Sequence, residues 1–447
     1  AADVTTRVPD CGYLNARPCH PFVTEAYNIY FGFSTQCDFG LYVNIHNKCV
    51  SSSRDTISKQ GPNWVTWAMS EQRNNIGAKV PVNYVTTFGT HNSYSSYNSG
   101  FNSIFSTDQN LSLYDQLEAG SRIVRIDPYF YFDNMRVCHT SWVPSCAALS
   151  PLFSLEFAIS PGRLYAYAVR ELADWLERHP GELVILLLHN DQFDVSVYGS
   201  GSKMGDLLAA PLLEYVGRER IYTPDDKGRT ESTTRFPWPT MDELRKDQNK
   251  QLLILASRAF RDVNGNPLSF HAGTVTDPDN FTWGVGSNFA ATFPNCTDGA
   301  APMWTINSGS RPGLFYTTGE DRSASVTMFP PVEFLNAAEV RSATRCGVSI
   351  ISVDFLLAQS LSILPAKGPQ PDQGEDLRRE ASIWSFDEKD YGRNGPAIVK
   401  ANGRWSSDQA PATHHYACVS KIWDWPRRYH TGAGKIKITR GAGWFYG

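Results

Sequence analysis

The sequence predicts an α/β fold, a TIM-type (β/α) barrel, and three observations carry that expectation. Through the middle of the chain, short runs of branched and aliphatic residues alternate with amphipathic helical stretches, as in sheets of buried parallel strands. The runs are VPVNYVTTF, RIVRIDPYF, MRVCHT, ELVILLLHN, QLLILAS and GVSIISVDFLL. Each is too short to be a long helix, and nearly every one ends in polar residues.

The elements can be taken in order. Residues 1–60 hold Cys11, Cys19, Cys37 and Cys49 with no CxxC pair and no His at zinc spacing, so a small disulfide-rich module is expected there. Cys138 and Cys146 could close a small loop, and Cys296, Cys346 and Cys418 complete the nine cysteines and leave an odd thiol. The opening Ala-Ala-Asp resembles a chain left after signal cleavage, so a secreted, extracellular protein is expected. The triplets at Asn110, Asn280 and Asn295 are then candidate glycan sites.

Residues 61–363 are expected to form the barrel. Before the fourth run, Leu164, Ala168, Leu172, Trp175 and Leu176 share one helical stripe, which His179-Pro180-Gly181 terminates. MDELRKDQNK precedes the fifth run and VEFLNAAEVRSATRCG the last, repeating the helix-then-strand order. From about Asp262 to Pro330 the chain is rich in Asn, Gly, Thr and Phe, and reads as substrate-shaping loops. Residues 364–447 begin with the linker LPAKGPQPDQGED and continue into an aromatic, β-rich extension.

Composition narrows the function classes. Lys+Arg of 41 against Asp+Glu of 45 gives a net charge of −4, without the basic excess of a nucleic-acid binder. The longest strongly apolar run, Leu183 to Leu188, falls far short of the ~20 residues of a membrane span. A monomer without nucleic-acid or transmembrane partners is expected.

In α/β barrels the chemistry sits at the C-terminal ends of the strands. Here those ends carry His91-Asn92-Ser93, then Arg125 and Asp127, Cys138-His139, His189-Asn190, Ser257-Arg258, and Asp354 on the last strand. Two imidazoles near one rim, with cations and carboxylates between them, suit a general base and a general acid flanking phosphorus, because imidazole titrates near neutral pH.

FGTHNSY, LYDQLEAGSRIVRIDPYFY, RVCH and WLERHPGELVILLLHND, taken as an ordered set, resemble the X region of phosphatidylinositol-specific phospholipase C and the wider group of phospholipase-C-like phosphodiesterases. The likeness covers residues 80–195 and, loosely, the strand around Asp354. It implies that His91 takes the proton from the attacking hydroxyl and that His139 protonates the leaving group. It also implies that Asn92 matches a position that is a metal ligand in calcium-dependent members, and that Asp354 orients the first histidine. The chain departs from the pattern on the second strand, where calcium-dependent members have Glu-X-Asp and metal-free bacterial ones Asp-X-Arg. Here the order is Arg125-Ile126-Asp127. The fourth-strand Glu of calcium-dependent members is replaced by His189.

Arg125 is therefore expected to supply the phosphate-stabilising charge, with Asp127 orienting it or a histidine, and no cofactor is expected; the alternative is a Ca or Mg ion, for which only Asn92 and Asp127 remain as oxygen ligands. Asn92, His189, Asn190 and Arg258 are expected substrate contacts. The substrate class is a phosphodiester, either a small molecule, a lipid headgroup or a glycolipid. IWSFDEKDYGRNGPAIVKANGRWSSDQAPATHHYACVS weakly resembles the C-terminal half of a C-type-lectin-like domain. Two rival readings stay open: a glycan-active enzyme on the same barrel, and a non-catalytic carbohydrate- or surface-binding protein.

Overall fold

The structure is a computed structural model of the chain. It describes residues 41–43, 49–51, 64–94, 109, 112–131, 134–137, 163–190, 201–226, 238–275, 297–298, 301–302, 315, 336–345, 348–353, 377–384, 397–399 and 405–407.

The core is a seven-stranded parallel sheet built from β1 (Thr87–Thr90), β2 (Ile123–Ile126), β6 (Val184–Leu188), β7 (Ile221–Tyr222), β8 (Leu252–Ala256), β9 (Phe270–His271) and β10 (Ile350–Val353). Strands β3 (Pro128–Tyr131), β4 (Asn134–Val137) and β5 (Arg163–Leu164) form a separate antiparallel sheet. The path through the parallel sheet runs β9-β8-β6-β2-β1-β10, with β7 added on β8. Apart from β7, which pairs with β8 and not with β6, successive strands of this sheet lie side by side, and the last returns to the flank of the first. That is the singly wound order of a (β/α) barrel, whereas a doubly wound sheet reverses direction midway. Among the described residues the path is open between β9 and β10, which gives an unclosed parallel α/β sheet.

The two faces of the sheet follow from the period of two. Val124, Ile126, Leu186, Leu188, Ile254 and Ala256 share one core cluster with helix α3 (Tyr165–Arg178), including its Leu172, Trp175 and Leu176. The alternate residues Ile123, Ile185, Leu187, Leu253, Leu255, Phe270 and Ile350 face the other way and pack with Tyr222, Trp238 and Phe315. Residues that continue this second register beyond the strand ends therefore face the inner side, at the polar rim.

Two sequence expectations are revised, and two short strands were not anticipated. MRVCHT was expected to be a parallel strand of the barrel, but β4 pairs antiparallel with β3 and β5. Only two residues separate β3 from β4, and a parallel return needs a crossover of a dozen or more. In VPVNYVTTF the strand begins only at Thr87, because Val82–Tyr84 makes a 3₁₀ turn after Pro81. The short strands β7 and β9 carry too few residues for any periodicity to reveal.

Residues of the expected C-terminal extension also reach the core. Helix α6 (Leu377–Ala381) and the segment after it dock on α1 (Trp64–Asn74), where Gln72 donates to the Ser382 carbonyl at 3.0 Å and accepts from the Trp384 amide at 3.1 Å. Helix α5 (Ala337–Arg345) starts in a capping box: Asn336 Oδ1 accepts from the amides of Ala338 and Glu339, and Glu339 accepts from the Asn336 amide. The N-terminal cysteine module and the linker at 364–376 lie largely or wholly outside the described residues.

The N-terminal ends of the strands are tied by charge. Glu182, just before β6, accepts from Arg122 Nε at 3.0 Å and from Asn74 Nδ2 at 2.9 Å, and faces Arg73 Nη1 at 3.5 Å. Arg122 also donates to the carbonyls of Leu117 and Ser121 and lies 4.5 Å over the Trp175 ring. Burial alone would raise the Glu182 pKa, but Arg122 and Arg73 outweigh it and hold the carboxyl at about 2. Burial lowers Arg73 to about 9, which leaves it charged at neutral pH.

Because the folded Glu182 pKa lies below its ordinary value of 4.5, the stability it contributes is fully present above that value and is lost as pH falls toward about 2. The shift corresponds to ~3 kcal/mol. Glu182→Gln should therefore lower the unfolding free energy at pH 7 by about 3 kcal/mol and flatten its dependence between those pH values. Denaturant titrations of both proteins across that range check this, and parallel pH profiles would exclude the assignment.

Candidate active site at the strand ends

The first candidate side chain is delivered by a close strand contact. A Cβ at Gly89 would meet the Ile123 Cβ at 2.4 Å, so β1 can approach β2 only with glycine there. Immediately beyond β1 the chain turns through His91, Asn92, Ser93 and Tyr94, all buried. Asn92 has a φ of 42°, a left-handed conformation that Asn tolerates better than most side chains.

A buried hydrogen-bond network fixes this turn. The His91 amide donates to the Val353 carbonyl of β10 at 3.0 Å, and Gln109 Nε2 donates to the carbonyls of both His91 and Val353. Ser93 N donates to the Arg125 carbonyl at 2.9 Å, and the Arg125 amide donates back to Ser93 Oγ at 2.8 Å. Behind them, Thr90 Oγ1 lies 2.7 Å from Ser93 Oγ and donates to Gln116 Oε1 at 2.6 Å. Gln116 Nε2 in turn donates to the Ser93 carbonyl at 2.8 Å. Gln116 lies on α2 (Leu113–Glu118) among buried neighbours. Neither glutamine was read from the sequence, although an amide beside Leu117 on a helix leading into a strand is a visible signal.

Arg125 and Asp127 occupy consecutive inward positions of β2 and its end. Arg125 Nε donates to Asp127 Oδ1 at 3.1 Å, and Nη2 donates to Oδ2 at 3.4 Å. Both residues are 3% exposed. His189 Nδ1 lies 3.4 Å from Arg125 Nη2 and 3.8 Å from Asp127 Oδ2. The pairing Ile126↔Leu188↔Ala256 sets Asp127, His189 and Ser257 in one row across three strands. The pairing Thr90↔Val124 sets His91 beside Arg125, one row deeper.

The remaining expected site residues divide. Asn190 Nδ2 donates to the Arg258 carbonyl at 2.8 Å, and Asn190 Oδ1 accepts the Arg258 amide at 2.9 Å. The Asn190 amide is therefore engaged in tying the end of β6 to the end of β8. The Arg258 side chain is exposed at the rim. His139 and Asp354 lie outside the described residues. His139 follows β4, whose Val137 stands opposite Pro128, the residue after Asp127. Asp354 follows Val353, which stands opposite Thr90.

Chemically, the two rows together hold a buried guanidinium with one carboxylate, flanked by imidazoles. Such a set attracts an anion and can hold and move protons beside it. It does not suit a hard divalent cation, which wants several oxygen ligands. Both Asp127 oxygens accept from Arg125, and among the described residues no three His, Cys, Asp or Glu side chains gather as a metal set.

Ser93→Ala removes the acceptor of the buried Arg125 amide and should cost about 1–3 kcal/mol of stability. Chemical denaturation reads that loss, and an unchanged midpoint would show that the network does not hold the turn.

Residues 81–266, somewhat under half of the chain, match the PI-PLC X family model (PI-PLC X 1). An uncharacterized protein of Mycobacterium tuberculosis, MT2135 in strain CDC 1551 / Oshkosh and Rv2075c in strain ATCC 25618 / H37Rv, is 26% identical over 359 residues. That match covers 77% of this chain and spans 66% of the relative's length. Among solved structures, phosphatidylinositol-specific phospholipase C from Listeria monocytogenes aligns with 16% identity and a TM-score of 0.40, over 65% of this chain and 96% of that one. The F249X mutant of phosphatidylinositol-specific phospholipase C from Staphylococcus aureus aligns with 10% identity and a TM-score of 0.38, over 73% and 98%. Residues 81–266 thus match the PI-PLC X family, the family whose X region their motifs resemble.

Proposed function

We propose that this chain is a phosphodiesterase of the phospholipase C type that cleaves a phosphoinositide- or glycerophosphodiester-like substrate without an obligatory metal. The observation that carries the reading is the buried Arg125–Asp127 pair beside His91 and His189 at the C-terminal rim of a parallel sheet. Such a rim is where barrel enzymes do chemistry, and the match to the PI-PLC X family over the same residues supports the reaction class.

In this mechanism Arg125 binds non-bridging oxygens of the phosphodiester and offsets the charge that grows on them as phosphorus becomes five-coordinate. Asp127 keeps the guanidinium oriented and neutralised in the unliganded protein. His91 accepts the proton of the attacking hydroxyl, whose oxygen forms the new bond to phosphorus. His139 donates a proton to the leaving oxygen as the old P–O bond breaks. When the nucleophile belongs to the substrate, the products are a cyclic phosphodiester and a released alcohol. When it is water, they are a monoester and the same alcohol. Asp354 is assigned to orienting His91, and its position after Val353 supports this, because the Val353 carbonyl accepts the His91 amide.

Metal independence is supported by the donor set: a dication at Asp127 would compete with a guanidinium for both carboxylate oxygens. Work outside the cell is supported by the four cysteines crowded before residue 50.

Phosphorus NMR on phosphatidylinositol, a glycosylated inositol phospholipid and a soluble glycerophosphodiester tests the proposal. Wild-type protein should produce a cyclic-phosphate or monoester signal that persists in EDTA. His91→Ala should lower the rate by roughly 10²–10⁴-fold, and Arg125→Lys by roughly 10²-fold, because an ammonium cannot reproduce the two-point hold. Silence of the wild type on all three substrates would overturn the assignment, and loss of the signal in EDTA would overturn metal independence.

A further inference from the structure

Ser257 follows β8 at the rim, and its amide donates to the Leu188 carbonyl at 2.8 Å, which continues the β6–β8 ladder one residue past the strand. The alternation that turns Leu253 and Leu255 inward therefore brings Ser257 to the same side, in register with His189. Adjacent strands lie about 4.8 Å apart, so the Ser257 hydroxyl neighbours the imidazole that touches Arg125. The backbone on both sides is held: the Leu188 bond fixes Ser257 itself, and the two Asn190 bonds fix Arg258.

The Ser257 hydroxyl is shielded from solvent and, among the described residues, has no hydrogen-bond partner. A buried hydroxyl left without a partner costs roughly 1–3 kcal/mol and calls for a reason. The neighbouring polar side chains of the site are engaged: Arg125 with Asp127 and His189, and Asn190 with Arg258. A packing role would be served equally well by alanine, which carries no such penalty.

We propose that Ser257 is a substrate-binding residue whose hydroxyl donates to a non-bridging oxygen of the bound phosphate ester, from the side of the mouth opposite His91. The inference rests on the phosphodiesterase reading and extends it by one residue. Arg125 and Ser257 then approach the phosphate from different strands, β2 and β8, with His189 between them on β6. The Asn190–Arg258 tie keeps the two sides at a fixed spacing, so the donor is preorganised before substrate arrives.

The test compares wild type, Ser257→Ala and Ser257→Thr in three measurements: thermal midpoint, affinity for inorganic phosphate by calorimetry, and kcat/KM on the best substrate of the phosphorus NMR panel. Ser257→Ala should leave the midpoint unchanged or raise it, because it removes an unsatisfied buried group. It should weaken phosphate binding and lower kcat/KM by roughly 10-fold or more, the loss expected for a hydrogen bond to a charged group. Ser257→Thr, which keeps the hydroxyl, should recover most of both.

A lowered midpoint with unchanged phosphate affinity would show a structural hydroxyl and overturn the proposal. Reduced kcat/KM with unchanged phosphate affinity would move the contact to the alcohol portion and overturn it as stated. An active wild type with an equally active Ser257→Ala overturns this inference alone. A wild type that neither cleaves a diester nor binds phosphate overturns the phosphodiesterase reading and this inference together.

Discussion

Arg125 carries a permanent charge into the inner face of the sheet, and the site is organised around making that tolerable. A guanidinium removed from water is costly unless its donors are met by a charge of opposite sign in good geometry. Asp127, two residues on and therefore on the same face of β2, meets it through two nitrogens. The pair is flanked by His91 and His189 only while β2 keeps its register with β1 and β6. Ser93 enforces the first of these by exchanging hydrogen bonds with the Arg125 backbone, and His189 borders the pair from the second. The result is a buried cation held against one carboxylate at the C-terminal end of β2, with His189 at its side.

The opposite end of the sheet uses charge for another purpose. Glu182 gathers Arg122 and Arg73 beneath the strands and clamps α1, the start of β2 and the start of β6. There two guanidiniums share one carboxylate, with backbone carbonyls and the Trp175 ring taking up further faces of Arg122. That arrangement leaves Glu182 fully committed. At the C-terminal rim the balance is one guanidinium to one carboxylate, with the His189 imidazole within 4 Å of both. The contrast in partners distinguishes a tie from a site.

Much of this was legible in the residues. GTHNS, RIVRID and ILLLHND marked the strands and the polar residues at their ends, because alternating burial and a polar rim leave a clear sequence signature. The departure of the second strand from Glu-X-Asp was visible too. Less legible were residues whose role depends on contact with distant chain. Asn190 read as a substrate contact, yet its amide ties Arg258, 68 residues away. Gln109 and Gln116 looked like ordinary polar positions until β1 and β10 came beside them.

The sequence by itself determined the α/β class, the positions of the longer strands and the types of side chain at their ends, since all three depend on local periodicity and composition. Only the tertiary structure decided that Asn134–Val137 belongs to an antiparallel sheet, that α6 returns to α1, and that Arg125 faces both Asp127 and His189 while the Ser257 hydroxyl has no partner among the described residues. The reason is physical. Pairing, register and the satisfaction of a buried polar group are properties of two or more segments together, and no single segment encodes which neighbour will meet it.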